Sequence, residues 1–214
     1  MAENKTVKVY LYTRFERLWH WLQALMIICL LITGFEIHGT YKLLGFETAV
    51  NVHNFLGLFW LGSFAFFAFW LVITGEWKQY IPTTRKLFDV MAYYAWGIFK
   101  GLDHPVQKSV GAKHNPLQRL AYLGISAMLL PAQMTTGLLY YLYNTLPGGF
   151  PLGILAMIHT LVAFLLLNFL VIHVYMTTTG HSIFSHIAGM LTGWEEIYDT
   201  TQLQDWETQA TKKG

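Results

Sequence analysis

Four histidines, His20, His53, His159 and His173, lie inside long apolar stretches of the chain. An ionisable side chain in such a stretch is costly and is read first as functional. Each one alone has an ordinary alternative, an interhelical hydrogen bond or an interfacial anchor, and His20, set between Trp19 and Trp21, fits the anchor well. Their joint spacing points further. His159 and His173 are 14 residues apart, about 21 Å along a helix, and at roughly 100° per residue they project from nearly one face. Two ligands on one stripe therefore stand near opposite faces of a membrane. Neutral imidazoles on facing helices hold haem iron, and a bis-imidazole haem has no open position for a substrate, which suits it to electron transfer.

Those imidazoles need helices that hold them in a bilayer. Charged residues make up only 12% of the 214-residue chain and hydrophobic residues 54%, against about 25% charged in a soluble domain, so a soluble globule is excluded. No charged residue occurs between Arg17 and Glu36, between Glu47 and Glu76, or between Arg119 and Glu195. Each of the first two gaps holds one crossing of about 20 residues. The third is too long for one crossing and is broken by the turn formers of Asn144-Thr-Leu-Pro-Gly-Gly-Phe-Pro151. The pattern predicts helices near 18–37, 52–74, 118–142 and 152–177, with Pro131 kinking the third. The expected fold class is all-α, an integral membrane four-helix bundle forming one domain over 1–214.

Of the 14 Lys and Arg residues, only Lys42 lies in the first or third connection. The positive-inside rule then makes both termini and the long second connection cytoplasmic. In that topology His20 is level with His173 on the cytoplasmic side and His53 with His159 on the outer side. The aromatic-rich stretch near 80–100 and the stretch near 181–198 are expected to lie as helices in the cytoplasmic interface. The segment Met1 to Arg17 leads into an apolar run too long for a signal h-region and is expected to remain as a signal anchor. Gly34, Gly57, Gly124 and Gly137 leave room for a flat macrocycle or serve ordinary helix packing. Arg17, one turn before His20, is a candidate partner for a haem propionate or simply a topology determinant.

Cys29 is the only cysteine, which excludes an internal disulfide, a Cys-rich zinc site, a cysteine-ligated iron–sulfur cluster and covalent haem attachment. A formal net charge of +2 without a basic run gives no reason to expect nucleic acid as a partner. His38, His104, His114, His181 and His186 fall outside the spans or at their ends and need no special role. His181 and His186 are five apart, a spacing that does not stack on one helix face, so a metal pair there is not expected.

The opening Arg14-Phe-Glu-Arg-Leu-Trp-His20-Trp, continuing to Leu31-Ile-Thr-Gly-Phe35, resembles the first helix of the prokaryotic cytochrome b561-like family. That family includes the cytochrome b subunits of nickel–iron hydrogenases, formate dehydrogenases and thiosulfate reductases. The likeness runs on through Val52-His53-Asn54-Phe-Leu-Gly57, Lys113-His-Asn-Pro-Leu-Gln118 and Ile158-His159 to His173. It implies that the four histidines are axial ligands of two b haems. It also implies that Asn115, Gln118 and His173 match positions around a quinone pocket; Pro116 departs from the family's pattern there. Asn115 has a second reading as the cap of the third helix, with Pro116 in its first turn.

The expected function is that of a di-haem membrane subunit in the prokaryotic cytoplasmic membrane, surrounded by lipid. It would carry electrons between quinone and an extracytoplasmic iron–sulfur or multihaem c-type subunit. A stand-alone superoxide:quinone oxidoreductase of the same architecture is the runner-up, and a haem-free proton or metal transporter built on the same histidines is the third reading.

Overall fold

The computed structural model describes residues 6–102, 104–106, 113–146, 151–179 and 183–198. Three long helices dominate: α1 (Arg14–Ile37), α2 (Phe46–Thr74) and, further along the chain, a helix at Leu152–Thr177. Each is long and apolar enough to cross a membrane. Large apolar side chains such as Phe55, Phe69, Val72, Leu161 and Val171 stand exposed along them. In water such surfaces would be an aggregation liability; in a bilayer they are the lipid-facing surface.

Local chemistry fixes the helix ends. Thr13 and Glu16 form a reciprocal capping box at the start of α1: the Glu16 N–H donates to the Thr13 hydroxyl, and the Thr13 N–H donates to the Glu16 carboxylate at 2.7 Å. At its other end Gly39 adopts φ +78°, and Thr40 N–H reaches back to the Phe35 carbonyl in a Schellman closure. One oxygen of Glu36 then accepts the N–H groups of Leu43, Leu44 and Gly45, each at 2.7 Å, and so sets the turn into α2.

The expected third helix is present but divided. After the short α3 (Leu87–Ala92) come α4 (Pro116–Gly124), a wide π-helical turn at Ile125–Leu129, and α5 (Leu130–Tyr141). Pro131 has no N–H to donate and crowds the preceding turn, and the widened turn just before it is how the helix accommodates the ring. The helix Leu152–Thr177, α6, follows with the bounds the sequence predicted. Of the turn-former cluster before it, residues 147–150 lie outside the described residues.

One expectation is corrected. Among the described residues of the stretch near 181–198, α7 (Ser185–Thr192) is helical and Trp194–Tyr198 forms a strand, β2, paired antiparallel with β1 (Thr6–Tyr10). The chain is mostly helical, with this two-stranded ribbon beside the helices. Thr6-Val-Lys-Val-Tyr10 alternates polar and apolar residues in the strand period, and Trp194 to Tyr198 offers it a ladder to complete. His181 lies outside the described residues.

The chain separates into two compact units. One holds 1–17, 71–125 and 174–214, and contains the sheet, α3, α4 and α7. In it Lys113 and Glu16 form an ion pair at 2.6 Å, and Glu195 meets His186 at 2.8 Å. Burial, with the Glu195 carboxylate beside it, pushes the Tyr12 phenol well above its ordinary value. The other unit holds 18–70 and 126–173. There Trp19 stacks on Phe67 with centroids 4.3 Å apart, and Trp60 donates its indole N–H to Gln23 at 2.5 Å, which joins α1 to α2.

Candidate cofactor site

All four intramembrane histidines fall in the second unit, and they meet in pairs. α1 and α6 bring the rings of His20 and His173 to a centroid separation of 5.9 Å. α2 and α6 bring those of His53 and His159 to 6.3 Å. These are the pairs that matching depth predicts. His20 is edge-on to Trp21, and His173 is stacked with Phe169 at 5.6 Å.

The separations suit two imidazoles that share one iron. Two nitrogen–metal bonds of about 2 Å each, plus roughly 1 Å from each nitrogen to its ring centre, would place the centroids of two imidazoles sharing a metal about 6 Å apart. Direct imidazole–imidazole hydrogen bonding accounts for neither pair among the described contacts, and Nδ1 of His20 is buried without a hydrogen-bond partner. The donor set, four imidazoles without a cysteine or carboxylate, fits haem iron. No group of three or more His, Cys, Asp or Glu side chains able to hold a bare metal ion occurs among the described residues.

The His53/His159 pair is further defined by polar residues on the neighbouring helices. Thr33 Oγ1 lies 2.9 Å from Nδ1 of His53, and Thr136 Oγ1 lies 2.9 Å from Nδ1 of His159. Gln133 Nε2 is 3.0 Å from Nε2 of His159. The signal for them was present as polar residues in apolar helices, twice as a Thr-Gly dipeptide, Thr33-Gly34 and Thr136-Gly137. Both glycines abut a ring: a Cβ on Gly34 would meet Cε1 of His53 at 3.4 Å, and one on Gly137 would meet Cε1 of His159 at 3.2 Å. Gly57 and Gly124 have nothing within 4 Å of such a Cβ, so they contact no histidine.

Residues 11–193 match the family described as prokaryotic cytochrome b561. The chain belongs to that family. The cytochrome is 31% identical over 203 residues to a protein of Escherichia coli (strain K12) named as cytochrome YdhU, covering 90% of this chain and 77% of that one. It is 26% identical over 162 residues to a protein of Rhodobacter capsulatus named as a Ni/Fe-hydrogenase B-type cytochrome subunit, covering 68% of this chain and 60% of that one. No solved structure gives a significant match. Family and helices together make this a multi-pass membrane protein that uses haem b for electron transfer. When bound, haem b would supply one-electron chemistry, and the four imidazoles are the groups that would hold it.

The remaining sequence candidates lie in the first unit. Arg17 donates to the Leu191 carbonyl and, at 3.5 Å, to the Tyr10 hydroxyl, while its Nε is buried without a partner. Asn115 and Gln118 form a capping box with each other: Gln118 N–H donates to the Asn115 side chain at 2.9 Å, and Asn115 N–H to the Gln118 carboxamide oxygen at 3.0 Å. The Asn115 amide also donates to the Tyr94 hydroxyl at 3.2 Å. Burial pushes the Tyr94 phenol up to about 12. The cap reading of Asn115 is therefore realised, with the Gln118 oxygen serving the box and its NH2 taking no part in it.

Proposed function

We propose that this cytochrome is a di-haem membrane subunit that passes electrons between a redox partner outside the cytoplasm and quinone in the bilayer. The observation that carries this reading is the presence of two imidazole pairs 14 residues apart on α6, about 21 Å along its axis. Two haems so stacked would span most of a hydrocarbon core of about 30 Å. His20 and His173 would hold the inner one, His53 and His159 the outer.

The segment 116–141 supplies the fourth crossing in this reading, and the bias of Lys and Arg supports cytoplasmic termini. The same bias assigns the start of α4 to the cytoplasmic side, where the NH2 of Gln118 would donate to a quinone carbonyl. Quinone takes up two electrons and two protons to become quinol, so its site requires a route from water as well as an electron source. The name of the Rhodobacter relative supports a partner redox subunit of the hydrogenase kind. An iron–sulfur or multihaem c-type subunit would serve equally as donor.

Haem content per chain, measured on purified protein and on single His→Ala variants, tests the reading. Two haems in the native chain and one in each variant are expected. One haem in the native chain, or two retained in any variant, would defeat the di-haem assignment.

A further inference from the structure

Thr33 and Thr136 do the same unusual thing. A threonine inside an apolar helix commonly turns its hydroxyl proton back to the carbonyl three or four residues earlier. Both follow that habit: Thr33 donates to Cys29 O at 2.8 Å with Leu30 O at 3.2 Å, and Thr136 donates to Ala132 O at 2.7 Å with Gln133 O at 3.1 Å. A hydroxyl has one proton and two lone pairs. With the proton turned to the helix, the oxygen is left to accept from the imidazole nitrogen 2.9 Å away, an arrangement that requires the hydrogen on Nδ1 of His53 and of His159.

The lone pair of each ring is thereby fixed on Nε2. At His159 the Gln133 amide lies 3.0 Å from Nε2, the position that iron would take. Both threonines are buried, at 3% and 8% exposure, which limits competition from water. Each threonine is followed by a glycine that lies against the same ring, where an added Cβ would stand 3.4 Å (Gly34) or 3.2 Å (Gly137) from Cε1. Thr33-Gly34 on α1 faces His53 on α2, and Thr136-Gly137 on α5 faces His159 on α6, so one device occurs twice on one pair of histidines. The other pair lacks it at His20, whose Nδ1 is buried without a partner.

We infer that Thr33 and Thr136 are positioning residues that select the Nδ1–H tautomer of His53 and His159 and thereby lower the reduction potential of the haem those two histidines hold. The inference rests on the di-haem reading. An acceptor at Nδ1–H makes Nε2 a stronger donor, and a stronger donor favours ferric over ferrous iron. Loss of the acceptor therefore raises the potential.

The test is redox titration of purified Thr33→Val, Thr136→Val and double variants, with haem content and the low-spin ferric electron paramagnetic resonance spectrum measured on the same samples. Val keeps the shape and removes the hydroxyl acceptor, leaving to the rings only the backbone carbonyls of Leu30 and Gln133. We expect both haems to remain and one midpoint to rise, by about threefold in ferrous/ferric ratio per hydroxyl, about 28 mV at ~59 mV per decade, with the other midpoint still. Thr→Ser should restore the native value. Haem lost with Val but kept with Ser supports the same role. Unchanged midpoints in a double variant with two haems, equal shifts in both haems, or haem loss with Ser as well as Val would overturn it. A native chain with one haem, or His53→Ala that keeps two, would instead defeat the underlying di-haem reading, whatever the threonine variants do.

Discussion

A Cβ on Gly137 would lie 3.2 Å from Cε1 of His159, closer than side chains ordinarily tolerate. The same atom on Gly34 would lie 3.4 Å from Cε1 of His53, an ordinary contact. Gly137→Ala is therefore expected to displace the His159 ring by a few tenths of an ångström, roughly, and shift the haem spectrum, while Gly34→Ala stays near native. Gly137→Leu is expected to cost one haem equivalent. Difference absorption spectra at equal protein concentration decide it, and a larger perturbation from Gly34→Ala than from Gly137→Ala would contradict the geometry.

Haem loss should be non-additive within a pair and additive across pairs. His53→Ala with His159→Ala should lose no more haem than either alone, because both remove the same iron's ligands. His53→Ala with His20→Ala should lose both haems. A within-pair double variant that lost more haem than its singles would show that the rings are paired differently.

Asn115→Ala removes a cap and its Tyr94 contact, and we expect a loss of about 1 kcal/mol in stability, read from melting in detergent. Asn115→Asp keeps the acceptor and should lose less. Gln118→Ala removes the second arm of the box and the candidate quinone donor together. Intact haem spectra with weakened quinone turnover are expected; unchanged turnover would move the quinone site elsewhere.

Gly193 has φ +89°, and a Cβ there would sit 2.7 Å from the Tyr12 carbonyl oxygen. Gly193→Ala is expected to cost about 1–3 kcal/mol and to loosen the β1–β2 pairing, which limited proteolysis near either strand would detect. Haem content should be unaffected.

Membrane topology offers a separate check. Reporters inserted in the 80–100 stretch should read cytoplasmic and one at Gly39–Thr40 should read outside. A cytoplasmic signal at Thr40 would invert the assignment of inner and outer haems.

Much of this protein is local and so was legible in the residues. Apolar runs without charge specify helices wherever they occur, and α6 emerged with its predicted bounds because nothing competes with helix formation in a 26-residue apolar segment. The 14-residue interval from His159 to His173 likewise determines a shared face by helix geometry alone, and with the charge bias it determined which ring meets which. The tertiary structure decided what lies 2.9 Å from Nδ1 of His53 and His159, because Thr33 and Thr136 stand 20 and 23 residues from their partners on other helices. No periodicity encodes the rotation and depth at which two helices pack. It decided equally that Thr6–Tyr10 pairs with Trp194–Tyr198. A strand of five residues has no stability of its own, and its partner lies at the far end of the chain, so only the folded protein brings the two ladders together.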